Sequence, residues 1–162
     1  MILTATVLVF ASSLVLVQAA PKDPASPGSH QLDLLKKLEG EWAGKDTAVT
    51  YKVTGGGSTV METLFPGTPH EMVSMYHLDG PDLVMTHYCA EGNQPHLKAA
   101  PAKDEKSISF TCTGGTNMKE TDHHIHSAQF TFTDEDHMQA VWKSHMDGKP
   151  GEQMVFDLTR KK

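Results

Sequence analysis

The 162-residue chain has no excess of positive charge, only two cysteines and, beyond residue 20, no long apolar run. A net charge of −6 argues against nucleic acid as a partner, because phosphate binding needs a basic surface. The missing apolar runs exclude a membrane-spanning helix once the first segment is removed. Catalytic signatures are lacking too: there is no Gly-x-Ser-x-Gly elbow, no phosphate-binding glycine loop and no His-Glu-x-x-His helix. Gly55-Gly56-Gly57 lies between two strand-like segments and reads as a turn.

Charge is also absent from Met1 to Ala20, a stretch rich in Leu, Val and Ala that ends in Val17-Gln18-Ala19-Ala20. Its length and small-residue junction predict a secretory signal peptide and hence a periplasmic or secreted protein. No Lys or Arg precedes the apolar run, so an uncleaved anchor is the alternative. Residues 21–29 hold three prolines with Ser, Gly and Asp and read as a flexible linker. Residues 30–162 then form one domain, long enough to bury its own core.

One short helix opens the domain. Ser29 is the expected cap, Leu34, Leu35 and Leu38 form the apolar stripe, and Gly40 ends it. From there the pattern becomes short alternating runs separated by turn residues, with candidate strands at 41–45, 47–54, 58–65, 71–78, 83–90, 96–101, 107–113, 124–133, 137–146 and 152–160. Connections this short favour an up-and-down meander over a Greek key. The expected fold is all-β: an antiparallel up-and-down barrel of about ten strands. Parity assigns Val49, Tyr51 and Val53, Ile108, Phe110 and Cys112, His124 to Phe132 in alternation, Met138, Ala140, Trp142 and Met146, and Met154, Phe156 and Leu158 to the interior. In 58–65 the sets Met61/Thr63/Phe65 and Val60/Glu62/Leu64 compete, and Glu62 reads as a surface residue that would serve as acid or base only if it faced inward. Nine methionines suit irregular gaps in a core or an adaptable pocket.

Gly40-Glu41-Trp42 at the first strand resembles the opening of lipocalin-like barrels, and Arg160 resembles the arginine that stacks on that tryptophan. Glu62 to Met72, Tyr76 to Gly80, Thr86 to Ala90 and Gly92 to Pro95 together resemble a lipocalin-like (calycin-type) family of bacterial secreted proteins of unknown function. The resemblance covers about residues 34–160. It implies the barrel and an exported location and carries no assigned reaction. Members of that family usually have a bulky apolar residue where this chain has Cys112.

Chemistry concentrates at one expected rim. His87 and Cys89 continue the inward stripe of Leu83 and Met85; Cys112 ends its strand at the same rim, and His124 and His126 begin theirs there. His123 and His145 have outward parity and read as solvated. Cys89 and Cys112 are candidates for a disulfide, although one intervening strand would hold their backbones ~10 Å apart, beyond the ~7 Å that a disulfide spans. Cys112, His124 and His126 form the best-spaced metal trio, since His-x-His on a strand suits zinc or copper. His87 and Cys89 are poor mutual partners: residues two apart on a strand lie ~7 Å apart, outside hydrogen-bond reach.

The leading expectation is an exported barrel that binds a small apolar molecule, with His87, Cys89, Asn93, Gln94 and His126 at its mouth and Tyr76 and Trp142 completing the ligand set. Asn93 and Gln94 are equally suited to stapling their own turn. The alternative is a metal- or haem-binding barrel, and a hydrolase or isomerase is the third reading. No cofactor is required by the sequence; zinc and haem are the ones these residues admit.

Overall fold

In a computed structural model the protein is described over residues 26–101, 104 and 106–162. The expected signal peptide and most of the expected linker lie outside these residues. Ten strands form a closed antiparallel barrel in which every strand pairs with its neighbours in sequence and the last pairs with the first. They are β1 (Gly40–Gly44), β2 (Thr47–Thr54), β3 (Thr59–Leu64), β4 (Met72–Asp79), β5 (Asp82–Tyr88), β6 (Gln94–Ala99), β7 (Ser107–Thr116), β8 (His124–Phe132), β9 (His137–Met146) and β10 (Lys149–Arg160). The expected all-β meander is therefore present, with the short first strand completing the even count. β6 starts two residues earlier than its alternation suggested, so Gln94 and Pro95 belong to the strand.

One helix, α1 (Pro27–Lys36), precedes the barrel. It begins three residues before the expected start. Ser26, not Ser29, is its cap, with its hydroxyl accepting from the Ser29 amide at 3.1 Å. Pro27 occupies the first helical turn, where its missing N–H costs nothing and its fixed φ suits the helix. Residues 27–29 are thus helix, although proline and glycine made them read as linker.

The helix closes one end of the barrel. Leu32, Leu35 and Leu38 are buried, α1 packs on β2 to β5, and the Gly28 amide donates to the Pro81 carbonyl in the β4–β5 turn. Gln31 Nε2 donates to the Ala100 carbonyl just past β6. Strand directions alternate, so the β4–β5 turn, the end of β6, the start of β1 and the end of β10 share this end. Trp42 and Arg160 face each other across the β1–β10 pair. The guanidinium lies 4.4 Å from the indole centroid, and its nitrogens donate to the carbonyls of Lys37 (2.7 Å) and Glu39 (2.8 Å). Trp42 Nε1 donates to the Leu38 carbonyl at 2.7 Å. The expected tryptophan–arginine plug is present and ties the helix end to the closing strands.

Among the described residues no helix covers the opposite rim, which carries the ends of β5 and β7 and the starts of β6 and β8. Between the two ends the interior is filled by rings. Tyr76, Phe110, Phe130, Trp142 and His87 form a continuous series with centroid separations of 5.7 Å (Tyr76–Phe110), 5.8 Å (Phe110–Phe130), 5.7 Å (Phe130–Trp142) and 5.3 Å (Trp142–His87). Most parity assignments hold. Met146 is one exception, 56% exposed at the end of β9. In β3 the set Val60, Glu62 and Leu64 faces inward, so Glu62 is an interior residue and not a surface one.

At Gly28, a Cβ would lie 2.5 Å from the Pro81 carbonyl oxygen and 2.6 Å from the Leu83 amide nitrogen, both backbone atoms. Gly28→Ala must therefore lift α1 off the β4–β5 turn. The expected loss is about 1–3 kcal/mol, the usual range for forced overpacking, measured as a lower urea midpoint with an unchanged slope.

Candidate metal cleft and buried polar row

The best-formed cluster of ligand-type side chains arises where two strands part. β7 and β8 pair from Ser107↔Thr131 to Thr111↔Ser127. Past that pair β7 continues against β6 as far as Gln94↔Thr116, while β8 continues against β9 as far as His124↔His145. The next residue on β7 is Cys112 and the next on β8 is His126, so both sit at the fork. The diverging strands and the segment joining them enclose a cleft of about 480 Å³ lined by Cys112, Met118, Glu120, His124 and His126.

A bulge sets the histidines. Ile125 pairs with Ser144 and Ser127 with Lys143, leaving His126 as the extra residue. The two histidines therefore do not continue the inward stripe of Ala128 and Phe130, as alternation predicted. Ile125 takes the core position opposite buried Ser144, and His124 lies beside His145. His145 is not simply solvated. Its ring stacks on His126 with centroids 3.6 Å apart and planes 2° from parallel.

The donor atoms of Cys112, His124 and His126 all lie within 4.8 Å of one another. His124 Nδ1 is 2.7 Å from the Asp122 carbonyl. A carbonyl only accepts, so Nδ1 carries the proton and Nε2 presents its lone pair to the cleft. That Nε2 stands 3.3 Å from His126 Nδ1. An ion held tetrahedrally at 2.0–2.1 Å has ligand–ligand edges of about 3.3 Å, so the spacing matches one edge of such a site. The His126 pKa is lowered, first by burial and then by its neighbours His145 and His124. Its imidazole is thereby kept in the neutral form that binds metal. The Cys112 thiol donates to the Gly114 carbonyl at 3.3 Å, and its deprotonation would free the sulfur.

Other expected site residues go elsewhere. Cys89 and Cys112 are both free thiols. No disulfide joins them, because Cys89 lies in the turn after β5 and the whole of β6 separates that strand from β7. Burial raises the Cys89 pKa, which disfavours a reactive thiolate. Gln94 staples the rim, its Nε2 donating to the Gly92 carbonyl at 2.9 Å and its Oε1 accepting from Thr116 (2.9 Å) and Asn117 (3.0 Å). Asn93 Nδ2 donates to the His123 carbonyl at 2.8 Å, but its Oδ1 is buried and unpaired.

His87 does not join the cleft. It belongs to a row across four strands: Tyr51 pairs with Glu62, Glu62 with Ser74, and Ser74 with His87. Tyr51 and Tyr76 donate to the Glu62 carboxylate at 2.7 and 2.6 Å. Burial raises the Glu62 pKa, while donors from Tyr76, Tyr51 and Ser74 oppose that rise. The Ser74 hydroxyl lies 3.0 Å from His87 Nδ1. Alternation in 58–65 could not choose between Glu62 and its neighbours, so the row was missed; its one sequence signal was the possibility that Glu62 turned inward. The residue types match those of a serine triad, but the serine lies between acid and histidine, where a triad places the histidine.

No protein-family model matches the sequence, and no curated protein matches it either.

Burial holds the His87 pKa at about 4, below its ordinary 6.5. Between pH 6.5 and 4 the unfolded chain takes up a proton that the folded chain refuses, so stability falls as pH falls through that window. The loss should approach about 3 kcal/mol at its acid end. Glu62 acts in the opposite sense, since its raised pKa lowers stability as pH rises above the ordinary carboxylate range. Urea unfolding at pH 7, 5.5 and 4.5 should therefore show a fall toward acid that is clearly smaller in His87→Gln.

Proposed function

We propose that the protein is an exported barrel of the lipocalin-like kind that binds a zinc or copper ion at its open rim through Cys112, His124 and His126. The observation that carries this reading is the convergence of one thiol and two imidazoles within 4.8 Å at the β7–β8 fork. Thiolate and imidazole favour zinc and copper over magnesium or calcium, which take oxygen ligands. The Asp122 carbonyl orients His124, and the stacked His145 ring restrains His126. Such supports fix ligand rings in real metal sites. Met118 and Glu120 line the same cleft and offer a soft and a hard donor for a fourth position. The apolar, signal-like segment Met1 to Ala20 supports export, and the closed meander with its Trp42–Arg160 plug supports the lipocalin-like assignment.

A small apolar ligand deep in the barrel has less support, because aromatic rings in mutual contact occupy that volume. The same rings take up the room a porphyrin would need, with His87 facing an indole.

Protein purified without a histidine tag should bind one zinc or copper(I) ion per chain when titrated against a chromophoric chelator. Cys112→Ser and His124→Gln should each weaken binding by more than the roughly 10–100-fold that loss of an outer-shell partner costs. Cys89→Ser should leave it unchanged. Affinity should fall as pH drops through the imidazole range, because protons compete for the same lone pairs. Equal affinities for the native chain and Cys112→Ser would refute the site.

A further inference from the structure

The cleft offers two side chains for a fourth ligand, the Met118 thioether and the Glu120 carboxylate, and the path of the chain after β7 separates them. β7 ends at Thr116. Asn117 then adopts φ +53°, the left-handed conformation that asparagine tolerates better than most residues, and its Nδ2 donates to Gln94 Oε1 at 3.0 Å. That kink lets the Met118 side chain fold back onto the strand it follows. A Cβ built at Gly115 would collide with Met118 Sδ and lie 3.0 Å from its Cγ. The thioether therefore fills the space that a side chain at position 115 would take. The bare Gly115 backbone is its seat.

The face on which this seat opens follows from the β6–β7 register. Leu97 pairs with Cys112, His96 with Gly114 and Pro95 with Gly115, so Thr113 is an extra residue on β7. Leu97 and Pro95 are both buried, two apart on one face of β6. Their partners Cys112 and Gly115 consequently share a face, although they are three apart in sequence. Without the bulge, Gly115 would point away from Cys112. The Met118 sulfur thus stands on the Cys112 side of β7, about 7 Å along the strand measured at the backbone. Three rotatable bonds let the side chain swing across that gap. Glu120 is placed differently. It is exposed at the centre of the turn Lys119–Asp122, which the Asp122 amide closes on the Lys119 carbonyl at 3.0 Å. Its charge reaches His126, where it opposes the lowering of the pKa. A carboxylate there is solvated, whereas the thioether is half-buried against the strand.

Resting on the Cys112, His124 and His126 site proposed above, we infer that Met118 is the fourth ligand and that the ion is copper(I) in preference to zinc. Two imidazoles, a thiolate and a thioether make a set with two soft sulfurs. Thiolate and thioether together select copper(I), whereas the usual ligands of zinc are thiolate, imidazole and carboxylate. A methionine completing a two-histidine, one-cysteine copper site sits at a longer distance than the other donors. The Met118 sulfur therefore has less far to move than a fourth zinc ligand would. Its seat at Gly115 keeps it on the correct side of the strand before any ion arrives.

The test uses the full folded chain, labelled with selenomethionine, without a histidine tag, and loaded under anaerobic conditions with copper(I) or with zinc. X-ray absorption at the selenium edge reads the bond directly. Copper-loaded protein should show a metal neighbour at bonding distance from selenium, and Met118→Leu should abolish it. Zinc-loaded protein should show none. In chelator competition the native chain should prefer copper(I). Met118→Leu should weaken copper(I) binding by at least about tenfold, the lower bound for loss of even an outer-shell partner, and leave zinc affinity unchanged. Leucine conserves the volume of methionine, so the packing is retained. Glu120→Gln should alter neither affinity. Copper binding that needs Cys112 yet shows no metal beside selenium would overturn the assignment of Met118 and leave the three-ligand site standing. So would a native preference for zinc, or a Met118→Leu loss equal for both ions. Binding of neither ion would remove the site itself, and this inference with it.

Discussion

Closure of the sheet depends on its shortest seam. β1 has five residues and meets β10 at only two registered pairs, Trp42↔Arg160 and Ala43↔Thr159. Two pairs give a ladder little length with which to hold a ten-strand barrel shut. The side chains supply the remainder. Arg160 lies over the Trp42 ring, donates to the carbonyls of Lys37 and Glu39 beyond the helix, and meets Asp136 at 3.4 Å. One guanidinium thus joins the last strand, the first strand, the helix end and the β8–β9 turn. A lysine has no planar fork with which to make those contacts together. With this end sealed, chemistry is left to the far rim and to the interior behind it.

The division between those two places follows from how strands meet. The cleft exists because β7 and β8 stop pairing at Thr111 and Ser127, which opens a gap just where a cysteine and a histidine come next. The interior row exists for the opposite reason. There the ladder is unbroken across β2 to β5, so Tyr51, Glu62, Ser74 and His87 stand in line as a row of buried polar side chains. A fork gathers ligands around an open space, while a regular ladder lines polar groups up in a closed one.

Much of this was legible in the sequence wherever the strands are regular. Turn residues at short intervals marked the ten strands, and period-two alternation identified Tyr51, Phe110, Phe130, Trp142 and His87 as inward. Neighbouring strands were enough to bring Cys112, His124 and His126 together as a trio. What failed to show had definite causes. His-Ile-His reads as plain alternation, so nothing betrayed the bulge at His126 that turns His145 onto its face. Both faces of β3 carry apolar residues, and the burial of Glu62 emerged only with partners from β2 and β4. Proline in the first turn of α1 looked like linker because its compatibility with a helix start depends on the cap before it.

The fork between β7 and β8 has one more consequence. A closed barrel normally leaves no strand with free backbone edges. Here the ends of two long strands turn away from each other, and Cys112 stands on one lip of the split with His124 and His126 on the other. An ion bound by all three would be a clasp across the split, mechanically linking the two halves of the rim.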